Sequence, residues 1–209
     1  MRKLKRAGML IILLAFPALF FIFLKTCGTN HYDLPYFHPV VEPSGEVSLK
    51  GKDTVYYQVS GVIGLGVADD TILSKVLDNK VNVFFGVDPN AEKNTRWEIH
   101  QNRLIEKLSN ETDVAYYERY SNTSNDFEFN PVITYVQEIE GESTNWESIF
   151  KLNETSANGR TFLLHQTLIL VDGQRRIRGY YNLADSDELD RALAEIKILL
   201  YQRKIAGKN

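Results

Sequence analysis

Side chains able to hold a metal or carry electrons are scarce in this chain and unevenly placed. There is one cysteine, Cys27, with two methionines, Met1 and Met9, and four histidines, His31, His38, His100 and His165. Every sulfur therefore lies in the first 27 residues. Soft sulfur ligands select Cu(I), and thiol–disulfide exchange needs an attacking thiolate. Nothing after Cys27 can supply either. His165 sits inside FLLHQTLILV (162–171) and reads as a metal ligand, in a relic or a new site, or as a packed histidine at a strand end. His100 and His165 with a carboxylate such as Asp88 or Glu92 would suit a hard or borderline metal. The simpler reading of His100, one turn from Trp97 and Leu104, is a half-buried structural histidine. His31 and His38 read as solvated or interfacial.

Other chemistries find little support. Ser60, His165 and Asp172 can be written down as a catalytic set, but the chain has no GxSxG elbow to expose a serine. The glycines of GVIGLG (61–66) lack the Lys-Ser/Thr ending of a phosphate cradle and read as a turn. The chain is thus not expected to be an enzyme. Net charge is −3, yet five basic residues fall in the first 25 positions, which leaves 19 basic against 27 acidic residues beyond them. A nucleic-acid-binding surface carries the opposite excess, so nucleic acid is excluded as a partner. The acidic excess reads as a solubilising surface or a face for basic partners. One cysteine excludes a disulfide framework, and 209 residues with 44% hydrophobic content suit one mid-sized domain with an appendage.

The appendage is N-terminal. Residues 7–24, AGMLIILLAFPALFFIFL, carry no charge and show no polar face. As a helix they would span roughly 27 Å, close to the hydrocarbon thickness of a bilayer. Arg2, Lys3, Lys5 and Arg6 precede the run, which places the N-terminus in the cytoplasm. The expectation is a single-pass, uncleaved anchor in the inner (cytoplasmic) membrane with the domain on the exported, periplasmic side. A cleaved signal, or lipoprotein processing at Cys27, are the alternatives. Residues 1–25 form tail and anchor, 26–50 an extended, proline-bearing tether, and 51–209 the domain.

Within the domain, TVYYQVS (54–60) predicts a first strand. The spacing of Ile72, Leu73, Val76 and Leu77 predicts a short helix over 69–78. VNVFF (81–85) predicts a buried strand, residues 92–109 an amphipathic helix, and 114–120 and 132–139 two more strands. Trp146, Ile149 and Phe150 mark a short helix. Residues 162–171 and 176–181 predict a hairpin turned at Asp172-Gly173. The last helix begins with Asp185 and Glu188 as a capping box and presents Leu189, Ala192, Leu193, Ile196, Leu199 and Leu200 on one face. Tyr56, Tyr57, Tyr116, Tyr117, Tyr120, Tyr180 and Tyr181 suggest either a binding face or ordinary sheet packing. This order of elements suits an α/β sandwich of the thioredoxin type.

The C-terminal segment LLHQTLILVDGQRRIRGYYNLADSDELDRALAEIKILL resembles the end of SCO/SenC proteins. These are membrane-anchored thioredoxin-fold factors that deliver copper to cytochrome c oxidase. The matching residues are Leu164-His165, Leu170-Val171-Asp172 and Arg178-Gly179-Tyr180-Tyr181; the anchor, the tether GTNHYDLPYF and KVNVFF (80–85) agree more loosely. The resemblance implies a thioredoxin-like sandwich with a C-terminal β-hairpin and helix, behind a single transmembrane helix. It also implies a copper site made of a CxxxC pair in the loop after the strand at Val81–Phe85, with a distant histidine matched by His165. That loop is Gly86–Glu92 here and contains no cysteine. The chain is thus expected to be a divergent relative without the family's copper site. It would act as a non-redox binding or assembly factor for a respiratory-complex subunit or a copper-handling protein. No cofactor is expected, and copper enters only if His165 joins non-sulfur or second-chain ligands.

Overall fold

A computed structural model describes residues 15–17, 19–22, 33–59, 62–68, 71–77, 79–86, 95–120, 131–137, 146–152 and 167–207. The chain divides into two units, Met1–Asp33 and Leu34–Asn209. In the first, residues 15–17 and 19–22 are helical. Among the described residues no helix is long and apolar enough to cross a membrane, and most of the apolar run 7–24 lies outside them.

The second unit is organised around one strand. VNVFFG sets Val81, Val83 and Phe85 on one face and Phe84 on the other, which favours burial on both sides, and every residue of Val81–Gly86 (β5) is buried, the polar Asn82 included. Val114–Tyr120 (β6) pairs with it in parallel, and Ile133–Gln137 (β7) pairs in parallel with β6. On its other side Thr167–Val171 (β8) runs antiparallel, followed by Ile177–Asn182 (β9). The five-stranded order is β7-β6-β5-β8-β9. Alternation along the strands splits the core in two. Val83, Phe85, Leu168 and Leu170 face the helices Thr95–Lys107 (α1) and Ser186–Ala206 (α3). Phe84, Tyr117, Ile169 and Val171 face Val59, Leu77 and the short helix Trp146–Ile149 (α2) with Phe150. A parallel βαβ unit followed by an antiparallel hairpin and a closing helix is the thioredoxin arrangement.

α3 buries the six residues its spacing marks. Asp185 caps its start, with backbone angles −102° and 124° and a side chain accepting from the Asp187 N–H at 2.9 Å. The second arm of the expected capping box does not form: the Asp185 N–H donates to Asn182 at 3.1 Å, and Glu188 pairs with Arg191 at 2.6 Å. Asp185→Ala is expected to cost about 1 kcal/mol. Urea unfolding of the full chain would measure it, and no loss would mean packing alone fixes the terminus.

Two expectations are corrected. Residues 62–76 are neither turn nor helix but a hairpin, Val62–Ala68 (β3) against Thr71–Val76 (β4), with a bulge between Gly64 and Gly66. Ile72, Leu73 and Val76 fit a helical stripe locally, but cross-strand pairing decides the outcome, and β-branched residues favour it. The regular strand expected over 54–60 is broken up: Asp53–Thr54 (β2) pairs only with Leu49–Lys50 (β1), and Tyr56 and Gln58 make single bridges.

Residues 34–50, which the sequence places in a tether, pack as part of the domain unit. Leu34 is buried among the α1/α3-side core. Arg178 donates from Nη2 to Leu34 O (2.8 Å) and from Nε to Pro35 O (3.1 Å), while the Phe37 N–H reaches Ile177 O at 3.2 Å.

Candidate functional site

In open α/β sheets, ligands gather beyond the carboxyl ends of parallel strands. Here those ends are Gly86, Tyr120 and Gln137, and Thr167 at the start of β8 lies opposite both Gly86 and Asn182. In sequence, the Gly86–Glu92 loop follows from Gly86 and His165 precedes Thr167 by two residues. Residues 87–94 and 153–166, including Asp88, Glu92 and His165, lie outside the described residues. Among the described residues no group of three His, Cys, Asp or Glu could hold a metal ion.

Just beneath that edge lies a polar pair that escaped notice in the sequence. Glu118 sits opposite Phe85 in the β5–β6 register. It shares a face with Val114 and Tyr116 and points at α1, where Gln101 Nε2 donates to its Oε2 at 2.6 Å. Each of the two residues is only 6% exposed. Burial is the chief reason the Glu118 carboxyl is pushed up to about 7; the Gln101 bond opposes the shift and nearby Glu98 adds to it. Aromatic residues neighbour the pair in register and sequence: Phe85 across the ladder, Tyr116 two residues before Glu118 and Trp97 one turn before Gln101. Phe85 lies parallel to Tyr116 with centroids 6.3 Å apart and edge-on to Trp97 at 6.3 Å. The Trp97 Nε1 and the Tyr116 hydroxyl are buried without a hydrogen-bond partner among the described residues. Burial, helped by Glu111, pushes the Tyr116 phenol up to about 12. The pair can therefore store or release a proton near neutral pH. An alternating strand pattern, which sets Glu118 on the Tyr116 face, was the available signal.

The remaining candidates fall into structural places. His100 Nδ1 contacts Leu183 O at 2.6 Å, in keeping with a half-buried structural histidine. His38 is half-buried rather than solvated, with its Nε2 2.7 Å from the Tyr180 hydroxyl. Cys27, His31 and Ser60 lie outside the described residues. Tyr116, Tyr117, Tyr180 and Tyr181 are all buried, so for these four the sheet-packing reading replaces the binding face.

The residues carrying the family resemblance are also built into the frame. Asp172 pairs with Arg178 at 3.1 Å. A Cβ at Gly179 would run into the Tyr181 ring. The Tyr180 hydroxyl donates to Phe150 O at 2.7 Å, and the Tyr181 hydroxyl to Glu195 at 2.6 Å. Burial first, then the Glu195 carboxylate, raises the Tyr181 phenol.

No protein-family model matches the chain, and no curated protein matches it. Among solved structures it is similar to BsSco, described as a member of the Sco family of cytochrome c oxidase assembly proteins, at 18% identity and a TM-score of 0.47 over 71% of this chain and 96% of that one. It is similar to a SCO1/SenC family lipoprotein from Bacillus anthracis str. Ames, at 16% identity and a TM-score of 0.43 over 69% and 92%. A third likeness is a putative electron transfer protein from Aquifex aeolicus VF5, at 15% and 0.40 over 66% and 96%. By its own strand order, parallel pairing and closing helix, residues 34–209 form an α/β domain of the thioredoxin type.

Proposed function

We propose that this protein is a membrane-anchored, SCO/SenC-like binding or assembly factor that works without redox chemistry of its own. The observation that carries the reading is a thioredoxin-type frame with no cysteine or methionine after Cys27. The SCO-like C-terminal sequence supplies the direction: a respiratory-complex subunit such as one of cytochrome c oxidase, or a copper-handling protein, as partner. The anchor holds the domain on the exported side of the cytoplasmic membrane, and the domain is neither an enzyme nor the holder of a resident cofactor. Docking falls to the segments that follow the strand ends at Gly86, Tyr120 and Gln137, because Tyr116, Tyr117, Tyr180 and Tyr181 are out of a partner's reach. A second reading rests on the Gly86–Thr167 register, which makes the strand ends before the loop and after His165 neighbours. In that reading His165 holds a metal with oxygen, nitrogen or second-chain ligands.

The full chain in detergent, titrated with Cu(I) against a competing chelator and with Cu(II) and zinc in parallel, separates the two. Stoichiometric binding abolished by His165→Ala would replace the first reading by the second. Under the first reading no such binding occurs, and a photo-crosslinker placed at Asp88, in the Gly86–Glu92 loop, captures an oxidase subunit or copper protein in native membranes. Its failure to capture any membrane complex would sink the assembly role.

A further inference from the structure

Exposed apolar side chains are not spread evenly over residues 34–209. Among the described residues of that unit eight large ones are exposed, and four of them, Val40, Val41, Val47 and Leu49, fall within ten positions. The others, Ile99, Val132, Tyr201 and Ile205, lie on α1, just ahead of β7 and on α3. Apolar residues exposed singly are ordinary, whereas a cluster marks a surface that something covers.

Backbone pairing holds the cluster together. Val41 bridges Val47, the Ser48 N–H donates to Val40 O at 2.8 Å, and β1 pairs with β2. Residues directly opposite, and residues two apart along a strand, share a face, so Val41, Val47 and Leu49 form one apolar stripe. They are 56%, 44% and 60% exposed. The exposed turn Lys50-Gly51-Lys52 ends the stripe on one side, and the acidic turn from Glu42 to Glu46 closes it on the other.

The position of this stripe in the chain selects its occupant. Nine residues, 25–33, separate the apolar run ending at Leu24 from Leu34. Fully extended they reach roughly 30 Å. An anchor at 7–24 therefore keeps the stripe beside lipid at a high effective concentration, and a patch too small to recruit a free protein is then enough. A stable protein interface takes roughly 20–30 residues a side, far more than one short hairpin offers. Apolar side chains beside lysines, whose stems lie along apolar surface while the ammonium stays in water, suit the headgroup boundary.

We propose that the Val41–Val47–Leu49 stripe dips into the lipid leaflet on the domain's side and holds the domain against the membrane. This contact requires that residues 7–24 anchor the chain, and the test reads the two separately. The full chain, methyl-labelled at Ile, Leu and Val, is placed in phosphatidylcholine–phosphatidylglycerol nanodiscs, and NMR cross-peaks from lipid acyl protons to protein methyls are recorded. Cross-peaks to the leucines and isoleucines of 7–24 report the anchor. The expected result adds cross-peaks to Val41, Val47 and Leu49, with none to the comparably exposed Ile99 and Ile205. In Val47→Glu/Leu49→Glu the Val41 cross-peak should vanish while those of 7–24 persist. Both substitutions are at exposed positions, so the thermal midpoint should be unchanged. Anchor cross-peaks without stripe cross-peaks, or equal cross-peaks at Ile99 and Ile205, overturn the proposal and leave the anchor standing. Absence of both sets removes the anchor and the lipid contact together. Stripe signals that shift with protein concentration in detergent, without lipid cross-peaks in nanodiscs, assign a second copy of the chain and also overturn it.

Discussion

Arg178→Met is expected to cost about 3–5 kcal/mol of folding stability, whereas Arg176→Met should cost about 1 kcal/mol or less. Both arginines pair with Asp172, so the contrast comes from burial and from what else each one holds. The Arg178 side chain is 3% exposed and that of Arg176 24%. Arg178 satisfies the carbonyls of Leu34 and Pro35 as well as Asp172, and Tyr36 covers its guanidinium at 3.9 Å. Methionine fills the space but leaves those acceptors short of a donor, and each buried unsatisfied group costs roughly 1–3 kcal/mol. Denaturant unfolding followed through Trp97 and Trp146, both buried, would give the two costs. Amide exchange at Phe37, whose N–H bonds to Ile177 O, should speed up in Arg178→Met alone. Equal costs for the two variants would refute the clasp.

Glu118→Gln should stabilise the protein in alkaline buffer and change little in acid. The carboxyl is raised from 4.5 to about 7 in the folded chain. Between those values the folded state holds a proton that the unfolded state has released, so stability is fully present below about 4.5 and is lost as pH rises through about 7. Glutamine keeps the bond to Gln101 and cannot ionise. The variant should therefore gain on the order of 3 kcal/mol over the parent by pH 8–9, with the two curves converging near pH 4. Unfolding curves at several pH values would show it. Parallel curves across the whole range would mean that Glu118 does not titrate in the folded protein.

Much of the domain was legible because its strongest signals are local. β5, β6, β8 and β9 come from short apolar or aromatic runs, and α3 from a six-residue stripe that the fold buries in full. What stayed hidden depends on distant partners. Val62–Val76 reads as glycine turn plus helix until its two halves pair with each other. Leu34 and Pro35 look like part of a proline-rich spacer because the arginine that grips them lies more than 140 residues away. Glu118 looks like a solvent-facing charge in VAYYERY until α1 is laid across the sheet with Gln101 facing it. Of the candidate site, sequence supplied the missing sulfur and the adjacent chain segments. The buried carboxyl required three dimensions.

The grip on Leu34 also bears on how the protein avoids its own kind. β9 closes the sheet on one side, and an outermost strand with bare amides and carbonyls is a template for any extended chain that meets it. Phe37 bonds to Ile177, Gln58 bridges to Arg176, and the Val59 N–H reaches Arg175 O, so residues 37, 58 and 59 cover the Arg175–Ile177 end of that border. The domain thus carries its own guard against edge-to-edge aggregation, contributed by the stretch that links it to the N-terminal unit. A chain cut back to residue 51 would keep the whole five-stranded sheet and lose part of what keeps it solitary.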